Sequence, residues 1–121
     1  MINGTARFTG NVVIGQGDMR MMGAIVDVEF AAGEDGGSRI ERLHATGGVT
    51  LVNGSEAAEA READYTVTSG VVVMTGDVVL TQGENAVAGE KLTVNLESGT
   101  GVMEGRVRVV FQPEGTPEQP Q

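Results

Sequence analysis

Few residues of this chain have side chains that could carry out acid–base or nucleophilic chemistry. The 121 residues include one histidine, His44, and no cysteine, whereas 17 are Asp or Glu. Catalytic triads and His- or Cys-rich metal sites need several convergent groups. A single histidine among strand-forming residues is typical of a surface or structural position. The residue types therefore argue against an enzyme.

The acidic residues and one glycine-rich segment also have simple structural interpretations. Most acidic residues fall on the polar phase of predicted strands or in turns such as Glu34-Asp35, which is typical of a solvated face. Gly15-Gln16-Gly17 does not begin a G-x-G-x-x-G loop, because Arg20 occupies the third glycine's place and no helix follows. The formal net charge of −9 argues against nucleic acid as a partner, since such binding depends on Lys and Arg at phosphates.

The composition predicts one β-rich domain. Hydrophobic residues make up 40% of the chain but aromatic residues only 3%, so the core must consist of Val, Ile, Leu, Met and Ala. Nineteen glycines with three prolines indicate many tight turns. Without cysteine there is no disulfide framework. Met1-Ile2-Asn3-Gly4 does not resemble a signal peptide, and no apolar run approaches the roughly 18 residues that span a bilayer.

Polar and apolar residues alternate with period two between glycine-containing turns, which predicts many short antiparallel strands. Examples are Asn11–Ile14, Val49–Val52, Val71–Thr75 and Val78–Thr81. Residues 113–121 hold all three prolines and no apolar side chain, which predicts a disordered tail after a domain of residues 1–112.

An internal repeat is the most informative feature of the sequence. TGNVVIGQGD at residues 9–18 recurs as TGDVVLTQGE at residues 75–84, and a weaker copy, TGGVTLVNGS, occupies residues 46–55. Each copy continues into a second strand, with Gly23, Ala60 and Gly89 at one equivalent position. The chain therefore contains three related strand pairs.

Aligning the copies shows one apolar and one polar strand phase, so one face of the sheet is expected to be buried. Three valines, Val13, Val52 and Val79, break the pattern on the polar phase, and Val13 and Val79 occupy one equivalent position of the repeat. The apolar phase consists of Val12, Ile14, Val26, Val28, Phe30, Val49, Leu51, Ala63, Tyr65, Val67, Val78, Leu80, Leu92, Val94 and Leu96.

The repeat resembles a known family. The segments FTGNVVIGQGDMRMMGAIVDVEF (8–30) and MTGDVVLTQGENAVAGEKLTVNLESG (74–99) are similar to the paired T-G-N/D-V-x-h-x-Q-G segments of the LptA/OstA family. The segment 39–67 resembles the family's middle portion, and 105–111 its closing strand. The similarity covers about Thr5 to Pro113, and the same repeat occurs in the periplasmic domains of LptC and LptD.

This resemblance implies a slightly twisted, open, OstA-like β-jelly-roll without catalytic residues, cofactor or required metal. It implies a carrier in the periplasm that binds lipopolysaccharide acyl chains in an apolar groove and forms part of the bridge from inner to outer membrane. LptC-like and LptD-like proteins would be its partners through edge strands, and head-to-tail self-association is a further expectation. Family members usually carry a strand before the first repeat, with a pattern like P-I-x-I-x-A-D. We expect that strand to be missing from residues 1–112.

The resemblance also places the groove. By position, Leu51, Tyr65 and Val67 match groove-facing sites in the family's middle repeat. Internal symmetry extends the predicted lipid-binding groove to Val28, Phe30, Val94 and Leu96.

Two other functions remain open from the residues alone. An apolar sheet face is what any sandwich core requires, so the chain could be a structural β-solenoid or scaffold domain with a closed core and no lipid ligand. A carbohydrate-binding module is a weaker alternative, because the chain has no Trp and one Tyr for stacking on sugars. Arg106 and Arg108 could contact phosphates, but charges on an edge strand also discourage aggregation.

Overall fold

The fold is all-β. The structure, a computed structural model, describes residues 4–32 and 38–110; the predicted turn at 33–37, Phe111 and the predicted tail at 113–121 lie outside these residues. None of the described residues forms a helix long and apolar enough to cross a membrane. The strands are β1 (Gly4–Gln16), β2 (Met19–Ala32), β3 (Ser38–Asn53), β4 (Glu56–Thr66), β5 (Val71–Gln82), β6 (Asn85–Asn95), β7 (Thr100–Glu104) and β8 (Arg108–Val110).

The strands form one antiparallel sheet in chain order, from β1 to β7. The strand β6 pairs with β7 along Lys91–Asn95 and with β8 along Ala86–Ala88, so β7 and β8 are two parts of one interrupted edge strand. Among the described residues β1 is the opposite edge, and the sheet does not close. This is the predicted open β-jelly-roll.

The short predicted segments join in pairs into longer, bent strands. The segments 71–75 and 78–81, for example, are the two halves of β5. A pair of residues with positive φ separates the halves, and two residues there oppose one residue of the neighbouring strand, which is a β-bulge. We call each such pair of positive-φ residues a bend pair. The bend pairs are Gly10-Asn11, Gly47-Gly48, Gly76-Asp77 and Gly105-Arg106, with φ between 50° and 91°. The single opposing residues are Ala24, Arg61 and Glu90.

The bend pairs explain why the repeat contains Thr-Gly-Asn or a similar tripeptide. Glycine adopts positive φ without steric cost, and Asn and Asp tolerate it better than other residues. Space is the second reason at Gly76, because a Cβ there would lie 2.8 Å from the Cβ of Arg61. Gly47 has the same relation to Ala24, and Gly105 to Glu90, each at 2.8 Å.

The bends divide the sheet into two arms. The short arm contains residues 12–16, 19–23, 49–53, 56–60, 78–82, 85–89 and 108–110. The long arm contains the strand residues on the other side of the bends. The Tyr65 hydroxyl on the long arm donates a hydrogen bond of 2.7 Å to Gln16 Oε1 on the short arm, so the arms face each other. The vertex is the line along which the two arms meet, and the space between them is smallest there. Small buried residues occupy it, namely Gly23, Gly89 and Ala60, of which Ala60 is 8% exposed.

The core lies between the arms and confirms the predicted strand phase. No buried polar or charged residue occurs among the described residues. The buried side chains all belong to one sheet face: Met19, Met21, Val26, Val28, Leu43, Ala45, Val49, Leu51, Ala58, Ala60, Ala63, Tyr65, Val72, Met74, Val78 and Leu92.

Candidate binding groove

The two arms face each other and are joined at the row of bends. On the side away from the bends they approach each other, and we call the opening between them there the mouth. A cavity of about 260 Å³ lies there, and a narrower one of about 30 Å³ adjoins it through the shared residues Asn53 and Leu96. Both are lined by residues of both arms. The larger is lined by Gln16, Met19, Asn53, Tyr65, Val67, Gly70, Leu96 and Glu97, and the smaller by Leu51, Asn53, Glu56, Ala57, Ala58, Leu80, Val94 and Leu96.

The structure brings five of the seven predicted groove residues to this mouth. They are Leu51, Tyr65, Val67, Val94 and Leu96. Leu51 and Tyr65 are buried, whereas the other three are half-buried and accessible from the open side.

The other two predicted residues lie elsewhere on the same face. Val28 is buried in the core, and Phe30 is half-buried against it. Neither lines the two cavities. The predicted set therefore lies on one apolar face, and its residues Val67, Val94 and Leu96 are the half-buried ones that line the mouth.

Tyr65 is the polar group set deepest in the mouth. Its ring is buried in the core, while its hydroxyl bridges to Gln16 on the other arm. Burial raises the pKa of Tyr65, and the nearby Glu97 raises it further. The hydroxyl is therefore kept neutral at the point where the arms meet.

We expect the titration of Tyr65 to reduce stability in alkaline solution. Because its pKa in the folded protein lies above the unfolded value of about 10, stability is full below that value and is lost as the pH rises through the folded pKa. Tyr65→Phe should abolish this loss and cost about 0.5–1.5 kcal/mol at neutral pH through the missing hydrogen bond. Ultraviolet absorbance reports the titration directly, since Tyr65 is the only tyrosine. Titration in the ordinary tyrosine range while the protein is folded would contradict this prediction.

The outer face of the sheet is polar and carries cross-strand ion pairs. Arg7 binds Asp27 at 2.7 Å, and this hydrogen bond lowers the pKa of the Asp27 carboxyl. His44 Nδ1 lies 2.6 Å from Asp64 and Nε2 lies 3.4 Å from Glu62. Exposed pairs of this kind contribute little to stability, because solvent screens the two charges. Across residues 4–32 and 38–110, no group of three or more His, Asp or Glu side chains could hold a metal ion.

The sequence alone left all three exceptional valines unexplained, and the bends explain the positions of two of them. Val13 and Val79 line two concavities beside bend pairs, of about 340 and 420 Å³. The two concavities occupy equivalent positions of the repeat: Asn11-Val12-Val13 corresponds to Asp77-Val78-Val79, and Gly47-Gly48 to Gly105-Arg106. The recurrence of a valine at one position of the repeat was the signal that could have indicated them.

Comparison with known proteins agrees with this architecture. A family model described as "LptA/(LptD N-terminal domain) LPS transport protein" matches residues 1–100. No curated protein matches the chain. Among solved structures, the chain is similar to LptH, described as the LptA homologous periplasmic component of the conserved lipopolysaccharide transport device from Pseudomonas aeruginosa. The TM-score is 0.77 at 21% sequence identity, over 92% of this chain and 86% of that chain, which shows a shared fold. Since the family model spans most of its length, the chain belongs to the LptA/(LptD N-terminal domain) family of LPS transport proteins.

Proposed function

We propose that the chain is a non-enzymatic periplasmic carrier that shields lipopolysaccharide acyl chains between its two arms. It would form part of the bridge from inner to outer membrane and dock with LptC-like and LptD-like proteins through its sheet edges. Family membership supports a transport role. The observation that carries the proposal is the mouth itself, where half-buried apolar residues of the long arm face the short arm.

Acyl chains are the part of the lipid that such a mouth would bind. Burial of apolar carbon stabilises a complex by about 0.8 kcal/mol per CH₂, so a dozen methylenes supply roughly 10 kcal/mol before association costs. The net charge of −9 has the same sign as the lipid's phosphates, so headgroup charge does not supply the affinity. Apolar burial is therefore the term that would hold the lipid.

The larger cavity is small for such a ligand. Its volume of about 260 Å³ lies below the roughly 300–1,000 Å³ of typical ligand pockets. Loading a whole acyl chain therefore requires the arms to separate and the Tyr65–Gln16 hydrogen bond to break. The half-buried side chains of Val67, Val94 and Leu96 lie at the side where this opening would begin.

A second candidate function follows from how tightly the arms close. Met21, Val72 and Met74 are 0% exposed, as in an ordinary dry core. A scaffold domain with a closed core would show the same burial and would bind no lipid. The two functions differ in whether the arms separate for an apolar ligand.

Tyrosine fluorescence separates the two functions, because Tyr65 is the only tyrosine and the chain has no Trp. Titration with lipopolysaccharide should change this fluorescence saturably, since loading displaces the Gln16 hydrogen bond and places methylenes beside the ring. The de-acylated lipid should produce no change. Equal responses to both lipids would indicate sugar or phosphate recognition, and no response from the folded protein would favour the scaffold.

A further inference from the structure

Each of the three related hairpins has an amide side chain directly before its turn glycine. The dipeptides are Gln16-Gly17, Asn53-Gly54 and Gln82-Gly83, and the glycines have φ of 61°, 65° and 61°. In every case the amide residue pairs with the first residue of the next strand, which leaves a two-residue loop. The middle hairpin differs from the other two because it combines asparagine with glycine.

The two Gln side chains are hydrogen-bonded, whereas the Asn53 side chain is not. Gln16 Oε1 accepts the hydrogen bond from the Tyr65 hydroxyl, and Gln82 Nε2 donates one of 2.7 Å to Glu56 Oε2. Within residues 4–32 and 38–110, the Asn53 amide has no hydrogen-bond partner. No such bond therefore holds the Asn53 amide away from the backbone that follows it.

The backbone N–H of Gly54 is also available. Because Asn53 pairs with Glu56 across the loop, this N–H lies outside the ladder of hydrogen bonds between β3 and β4. It donates to no other group of the described part of the chain. Gly54 is exposed, and a Cβ built on it would meet nothing within 4 Å. Hydroxide from the solvent can therefore reach this N–H and remove its proton.

We propose that Asn53 is a site of spontaneous modification, at which the Gly54 nitrogen attacks the side chain and converts its amide to a carboxylate. Hydroxide takes the proton from the Gly54 nitrogen, which then forms a bond to Asn53 Cγ. The bond from Cγ to the amide nitrogen breaks, and that nitrogen takes a proton from water and leaves as ammonia, which regenerates the hydroxide. A second water opens the resulting five-membered imide at one of its two carbonyls and gives aspartate or isoaspartate.

Glycine after the asparagine is what favours this ring closure. Without a Cβ, Gly54 lets its nitrogen approach the side chain with little steric hindrance. Asn11, Asn85 and Asn95 precede Val, Ala and Leu, so a side chain hinders the same attack at these positions. At the two equivalent hairpins, Gln would have to close a larger, six-membered ring. Among the described residues the modification is therefore expected first at Asn53.

The new carboxylate would lie in the mouth. Asn53 is half-buried and lines both cavities, together with Glu97 in the larger and Glu56 in the smaller. A further negative charge at this position would lose hydration beside an acyl chain without gaining a cationic partner, which is unfavourable. Modification would therefore weaken lipid binding, and this consequence rests on the proposed function.

Mass spectrometry of tryptic peptides tests the modification on the intact, folded protein. Cleavage after Arg42 and Arg61 yields peptide 43–61, in which Asn53 is the only Asn or Gln. In mildly alkaline solution this peptide should undergo amide-to-acid conversion at least about tenfold faster than Asn11 in peptide 8–20, because valine follows Asn11. Equal rates, or conversion of Asn53 only after unfolding in urea, would overturn the proposal.

Asn53→Gln is the matched control, because Gln-Gly already occupies the other two hairpins. Conversion at this position should then fall to the slow rate of Gln16 and Gln82. Asn53→Asp tests the consequence, and it should bind lipopolysaccharide about tenfold more weakly than Asn53→Gln. Equal affinity of the two variants would contradict the effect on the mouth. Conversion of Asn53 in a protein that binds no lipid in any form would contradict the carrier function and still support the modification site.

Discussion

Replacing Gly76 by alanine is expected to lower the free energy of unfolding by about 2–5 kcal/mol, from left-handed strain of about 1–2 kcal/mol and overpacking of about 1–3 kcal/mol. The strain arises because φ is 89° at this position. The overpacking arises because the new Cβ would lie 2.8 Å from the Cβ of Arg61. Urea denaturation followed by circular dichroism measures the change. A small domain has only about 5–15 kcal/mol of stability, so this loss is a large fraction of the total.

Gly10→Ala is the matched control for Gly76→Ala. Gly10 has nearly the same φ, 91°, but no atom within 4 Å of its potential Cβ. It should show the strain alone, so the difference between the two variants measures the packing at the bend. If both lose the same stability, the neighbouring strand does not restrict the bend glycine and the packing argument is wrong.

The second large effect is expected on lipid affinity. Leu96→Asp should weaken lipopolysaccharide binding by about 10- to 100-fold, because an apolar contact of roughly 1.5–3 kcal/mol is lost. Leu96 is half-buried and lines both cavities of the mouth. Its replacement should therefore leave the core between the arms intact. Titration of the folded variant, followed by the fluorescence of Tyr65, gives the dissociation constant.

Val102→Asp is the control for this variant. Val102 is 57% exposed and pairs with Thr93 on the polar phase, away from the mouth. The substitution adds the same negative charge, so it also measures general repulsion of the lipid's phosphates. Equal loss of affinity in the two variants would contradict an acyl-chain site at the mouth. Leu51 is less suitable for such a test, because it is 4% exposed and its replacement by Asp would destabilise the core.

The sheet and its buried face were predictable, because the repeat and the strand phase are local properties of the sequence. The continuity of each strand was harder to predict. Gly10-Asn11 and Gly76-Asp77 have the composition of a hairpin turn, and they are bulges within one strand only because the residues before and after them pair with the same neighbouring strand. The Ala- and Glu-rich segment from Ser55 to Ala63 has a helix-friendly composition, yet most of it lies in β4. There, pairing with β3 and β5 outweighs the intrinsic propensity.

The depth of the groove could not be predicted. Val28, Val67 and Leu96 share one strand phase, yet Val28 is 4% exposed while the other two are half-buried at the mouth. Alternation determines which face a side chain occupies. Its distance from the opening depends on how far the two arms fold over each other, which follows from the backbone at the bends.

The row of bends also fixes a length. It crosses the seven strands from β1 to the β7–β8 edge, and six strand spacings of about 4.8 Å make it about 29 Å long. One leaflet of a bilayer contributes about half of its roughly 30 Å hydrocarbon thickness. In the proposed carrier, a lipid tail taken up along the row of bends after the arms separate would be about half as long as that row, so no stretch of its methylenes would extend past the sheet edges.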